Sequence, residues 1–146
     1  RSHNQVVVME QTNFRYSQLE DFIHGRPQFA TIDVSFISLD LILPPLSHII
    51  EEDGEVVALI KPQFEAARED IGEGGIVRDA TVYEEVIKNV IDFAARNTFY
   101  LLDLTVSPIT GTKGNIEFLA HFKKNIHATS NHEVLVKSVL EDVSKR

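Results

Sequence analysis

Apolar residues along the chain recur with two different periods. Residues 5–10 (QVVVME), 29–32 (FATI), 55–60 (EVVALI), 98–106 (TFYLLDLTV) and 116–122 (IEFLAHF) are short runs rich in β-branched and aromatic residues, and their spacing predicts strands. The run at 55–60 is the clearest, bracketed by Asp53-Gly54 and Lys61-Pro62. The segments between follow a helical period instead. Ser17 with Glu20 reads as a capping box, Leu19, Phe22 and Ile23 as one stripe, and Gly25 then Pro27 as the stop. Residues 40–52 carry Leu41, Ile42, Leu46, Ile49 and Ile50 at helical spacing, with regular helix expected only from about Pro44 because proline is tolerated in a first turn. Thr81 with Glu84 caps a long helix to about Arg96, striped by Val82, Val86, Val90 and Ala94; Ser130 with Glu133 caps a last one.

Strands alternating with helices predict an α/β sheet, parallel at first, with helices on both faces. The glycine-rich connection at 107–115 (SPITGTKGN) is too short for a crossover, so the final strand is expected to run antiparallel. Chemistry in such sheets sits beyond the carboxyl ends of the strands. Asp33 and Lys61 are each the first residue after a strand, and as neighbours they would bring a carboxylate and an ammonium together at the rim. A structural ion pair is the alternative reading. Glu117 falls opposite the apolar face of its strand, where burial without a partner is costly and solvent exposure is the plainer reading.

Composition narrows the classes. The 146 residues are the size of one domain, spanning 1–146, and contain no cysteine, which removes disulfides, thiolate metal sites and cysteine nucleophiles. A net charge of −8 repels nucleic acid and anionic lipid unless basic residues gather locally. His121, Lys123, Lys124 and His127 form such a cluster, read either as a solvated face or as an RNA contact. No apolar run approaches the ~20 residues that span a bilayer, and the first residues lack a signal-peptide layout, so a cytoplasmic protein is expected. The start, without an initiator Met and with strand-like residues by Val6, reads as the latter part of something longer. The stretch Gly72 to Gly75 lacks the Lys-Ser/Thr ending of a phosphate loop, the six histidines form no His-x-x-x-His pair, and no G-x-S-x-G elbow is present.

Taken together, EQTNFR (10–15), DVSFISL (33–39), KPQFEA (61–66), GGIVRD (74–79), SPITGTKGN (107–115) and IEFL (116–119) resemble the FtsJ-like ribosomal RNA methyltransferases of the TlyA group, often labelled hemolysins. The resemblance runs from about Val6 to His121. It implies a class I, Rossmann-like sheet that binds S-adenosylmethionine and methylates a ribose 2'-hydroxyl of ribosomal RNA with a Lys-Asp-Lys-Glu set. Asp33 then matches the family's Asp, where it also faces the cofactor, Lys61 its second Lys, and Glu117 its Glu; Asn13 falls where related enzymes contact the adenine.

The pattern also departs from the family's. The RNA-binding N-terminal domain, the first lysine, the glycine-rich first strand and turn, and the second strand have no counterpart, so the chain is expected to be a C-terminal portion of the domain, inactive by itself. The strand at 29–32 is left with an open edge, a pairing liability that a lone chain would relieve by dimerising. A non-catalytic RNA-binding or ribosome-assembly module with the same fold is the competing reading. A membrane-lytic role has no spanning segment or basic amphipathic helix behind it.

Overall fold

The computed structural model describes Val7, Met9 and residues 11–126 and 132–146. Strands β1 (Phe29–Ile32), β2 (Glu55–Ile60), β3 (Phe99–Val106) and β4 (Phe118–Lys124) form one mixed sheet in the order β1, β2, β4, β3. β2 is parallel to β1, with Ile32 opposite Ala58, while β4 is antiparallel to both of its neighbours. Phe118 therefore faces Ile60 on one side and Val106 on the other. The antiparallel last strand is as expected, and it occupies the slot between β2 and β3 that the long connection through helix α3 (Ala80–Arg96) leaves open.

Alternation along the strands builds one fully buried face. Val56, Ala58 and Ile60 of β2, Phe118, Ala120 and Phe122 of β4, and Phe99, Leu101, Leu104 and Val106 of β3 join a single core. Covering it are Leu43 and Leu46 of α1 (Leu43–Ile49), Val86, Ile87 and Ala94 of α3, and Val136 and Val139 of α4 (His132–Ser144). Each large side chain fully withdrawn from water contributes about 1.5–3 kcal/mol to this layer. On the opposite face Val57, Leu59, Tyr100, Leu119 and His121 are only half-buried. A second helical layer, expected over that face, is not found among the described residues. Among them, too, β1 pairs with β2 alone.

Other elements differ from expectation for identifiable reasons. The helix anticipated from Ser17 contracts to 3₁₀ turns at Phe14–Tyr16 and Leu19–Asp21, the second closed by Gln18 N–H donating to Asp21 at 2.9 Å. So few residues before Gly25, which sits at φ 88°, do not repay helix nucleation. Asp79 rather than Thr81 caps α3: its carboxylate accepts the Thr81 N–H at 2.9 Å, and the hydrogen bonds from Thr81 hold its pKa below the usual range. A one-turn helix α2 (Pro62–Glu65) follows β2 directly, opened by a proline whose missing N–H is no loss there. β4 begins two residues later than the pattern predicts and runs on to Lys124. The strand expected at 5–10 lies largely outside the described residues, as does the cap at Ser130.

Candidate active site

β1 and β2 are parallel neighbours, so the residues that follow them emerge side by side. Lys61 Nζ lies 2.5 Å from Asp33 Oδ1 and donates to Ser35 Oγ at 3.4 Å. The Asp33 side chain is 68% exposed and that of Lys61 only 11%. Continuing the register by one residue beyond Ile60 and Phe118 sets Lys61 opposite Glu117, on the side of the sheet that carries Leu59 and Leu119. The Ser107 N–H donates to the Glu117 carbonyl at 2.9 Å, which extends the ladder with β3 by the same step.

Glu117 is 6% exposed, and its Oε2 accepts a hydrogen bond from Gln63 Nε2 at 2.9 Å. The loop at 107–115 presses onto this carboxylate: a Cβ at Gly111 would sit 2.0 Å from Oε2, so a larger residue there would have to displace it. Asp33, Lys61, Gln63 and Glu117 thus line one cleft of about 410 Å³, with Leu59 and Leu119 beneath. Three of the four residues singled out in the sequence converge there. Asn13 is not among the lining residues; its side chain caps the turn at Phe14–Tyr16, accepting the Arg15 N–H at 3.0 Å.

The 107–115 loop, which walls the cleft, is tied to a second loop at 72–77. Lys113 Nζ donates to the Gly74 carbonyl at 2.9 Å, and buried Asn115 donates to the carbonyls of Gly75 at 3.0 Å and Thr112 at 3.1 Å while accepting from Val77 N–H at 3.1 Å. The carbonyls of Gly74 and Gly75 are committed to these contacts. Phe36 holds a positive φ of 62° and is 90% exposed, its ring centroid 4.9 Å from that of Phe64, which lines the cleft. The segment carrying Asp33 and Phe36 is anchored by Glu65, which accepts from Ser38 Oγ at 2.6 Å and Leu39 N–H at 2.8 Å. Burial raises the Glu65 pKa above the usual glutamate range; these two hydrogen bonds oppose the shift and nearby Asp40 adds to it.

Beside β1 a second depression of about 420 Å³ is walled by Phe14, Phe22, Phe29, Ile32 and Val34, and Asp33 borders both cavities. The basic cluster at 121–127 does not form one face among the described residues. His121 contacts Glu55 at 2.8 Å, whereas alternation turns Lys124 into the interior, where its ammonium donates to the Ser47 carbonyl at 2.5 Å. Among the described residues no group of three His, Asp or Glu is placed to hold a metal ion, and no helix is long and apolar enough to cross a membrane. Gln63, Ser107 and Gly111 went unrecognised in the sequence. Only the close spacing of Gln63 to Lys61 and the glycine in SPITGTKGN were available as signals.

A sheet of this order, with its chemistry gathered beyond the carboxyl ends of parallel strands, defines a Rossmann-like α/β fold of the class I methyltransferase type. The chain belongs to the FtsJ-like methyltransferase family, whose family model matches residues 1–124. It is 54% identical over 121 residues, 83% of its length, to a Bacillus subtilis protein provisionally named rRNA methyltransferase YqxC, covering 43% of that protein. Over all 146 residues it is 32% identical to the 16S/23S rRNA (cytidine-2'-O)-methyltransferase TlyA of Mycobacterium tuberculosis, covering 52% of it. A solved structure from Streptococcus thermophilus, provisionally named a hemolysin, superposes with a TM-score of 0.94 at 49% identity, covering 99% of this chain and 52% of that one. The chain spans about half the length of the curated relatives it matches.

Proposed function

We propose that this chain carries the hydroxyl-activating half of an S-adenosylmethionine-dependent methyltransferase that acts, in the full-length protein, on a ribose 2'-oxygen of ribosomal RNA in the cytoplasm. The observation that carries the reading is the meeting of Asp33, Lys61 and Glu117 in one cleft at the strand ends. The names of the relatives supply the substrate class.

The residues present fit the cofactor in part. An apolar groove suited to a purine leads to an exposed carboxylate, Asp33, suited to an ammonium, and the groove and the cleft meet at that residue. S-adenosylmethionine supplies a methyl group made electrophilic by its sulfonium. Lys61, held by Asp33 and Ser35, orients the ribose hydroxyl; after RNA excludes water and the ammonium has released one proton to solvent, the neutral amine takes the hydroxyl proton as the methyl group is transferred. Glu117, opposite Lys61 in the register, fixes the direction of the ammonium. Phe36 offers an apolar face to the nucleotide. Positioning is the main contribution, and well-oriented intramolecular reactions gain about 7–11 kcal/mol this way.

The test is methyl transfer from labelled S-adenosylmethionine to isolated ribosomal subunits by the full-length protein. The label is expected in nucleotides that resist alkaline cleavage, the mark of a blocked 2'-oxygen. Subunit binding with no label incorporated would reject this reading and favour the non-catalytic assembly module.

A further inference from the structure

We propose that Gln63 is the positioning residue of the cleft, its amide clamping the Glu117 carboxylate against the Gly111 backbone so that the carboxylate stays opposite Lys61. The inference rests on the methyltransferase reading above. Among the described residues, the hydrogen bond that holds the Glu117 carboxylate comes from Gln63 Nε2, at 2.9 Å. Gln63 is 8% exposed and stands in the first turn of α2, two residues after Lys61, so the turn that aims the ammonium also aims the amide. The same Nε2 lies 3.3 Å from where a Cβ at Gly111 would be, so the amide and the carboxylate both pack beside this glycine.

A further detail separates this arrangement from ordinary core packing. With Nε2 turned to the carboxylate, Gln63 Oε1 is buried and has no hydrogen-bond partner among the described residues. A carboxylate only accepts hydrogen bonds, so it dictates this orientation of the amide, and the carbonyl is left orphaned in consequence. Orphaning a buried acceptor costs about 1–3 kcal/mol, so the pair is not explained as a device for stability. Such uncompensated groups persist where the surroundings hold them for a task. Here the task is holding a carboxylate still beside a lysine head: Asp33 steadies Lys61 from the exposed side and Gln63 steadies Glu117 from the buried side.

Two variants of the full-length protein test this, alongside crystal structures of the same variants. Gln63→Met keeps the volume and removes the donor; kcat is expected to fall about 10- to 100-fold, as misplacement of a reacting group does, with KM and S-adenosylmethionine affinity unchanged. Gln63→Glu places a second carboxylate against Glu117, and only its protonated form can donate. Its activity relative to the parent protein is therefore expected to rise as pH falls, a profile that Gln63→Met will not show. In crystals of Gln63→Met the Glu117 carboxylate is expected to leave its place against Gly111. A carboxylate unmoved in that crystal, or a parental kcat in Gln63→Met, overturns the inference. A parent protein that transfers no methyl group overturns the functional reading instead, and the crystal comparison then still decides whether Gln63 holds Glu117.

Discussion

Lys61 and Asp33 form a 2.5 Å ion pair in which the cation is nearly buried and the anion mostly open to solvent. An exposed partner contributes little to stability, typically about 0–1 kcal/mol for a surface pair. Its use is directional: it turns the lysine head toward the rim of the sheet while the stem packs along β2. Replacing Lys61 by Met in the full-length protein is therefore expected to lower methyl transfer about 10²- to 10⁴-fold, the usual range for loss of an acid–base group. Calorimetry should find cofactor affinity retained. Normal turnover in the variant would remove Lys61 from the chemistry.

Gly111→Ala pushes a methyl group into Glu117 Oε2, where 2.0 Å is available. Overpacking of this kind costs about 1–3 kcal/mol, measurable as a lower urea midpoint with unchanged slope. Activity is expected to fall further than stability, because the displaced group lines the cleft. A variant with parental melting and parental turnover would contradict the close packing of the 107–115 loop.

Asn115→Ala removes the buried side chain that joins the two loops. It leaves the Val77 N–H unpaired, at a cost of about 1–3 kcal/mol. Faster proteolysis within 72–79 and faster amide exchange at Val77 are the expected readouts; unchanged exchange there would show that the loops are held otherwise.

Glu65 sets a pH dependence of stability. Burial raises its pKa in the folded chain above the ordinary value of 4.5, so the folded state holds this proton more tightly than the unfolded state does. As pH climbs from about 4.5 through the raised folded value, the unfolded chain binds fewer protons, and stability falls. The Glu65 contribution is present below that window and lost above it. Glu65→Gln is expected to flatten the slope across the window in urea titrations at stepped pH, and an unchanged slope would contradict it.

Much of this molecule is readable from its chain because the strongest signals are local. Residues 56–60 are an unbroken apolar run between turn signals and 55–60 form a strand with the expected bounds, and the short link at 107–115 dictates the antiparallel return. That Asp33 and Lys61 meet was legible because residues that follow neighbouring parallel strands emerge side by side. What stayed hidden depends on neighbours far apart in sequence. That β4 enters between β2 and β3 follows from which gap is open, and no periodicity records it. The partnership of Gln63 with Glu117 spans 54 positions, and a glutamine after Lys-Pro carries no mark of it. Ser17 misled because a capping pattern forecasts a helix only where enough residues follow to repay nucleation.

The middle position of β4 bears on how the chain is made. A ribosome releases β1, β2, α3 and β3 before the strand that joins β2 to β3, so one of the two inner strands is the last part of the sheet to leave the exit tunnel. Until residues 118–124 emerge, β2 and β3 face each other across an empty lane and Glu117 has no register to hold it. Maturation of this layer is thus tied to late synthesis, and a stalled nascent chain that ends before Phe118 would expose to chaperones the edges of β2 and β3 that β4 covers.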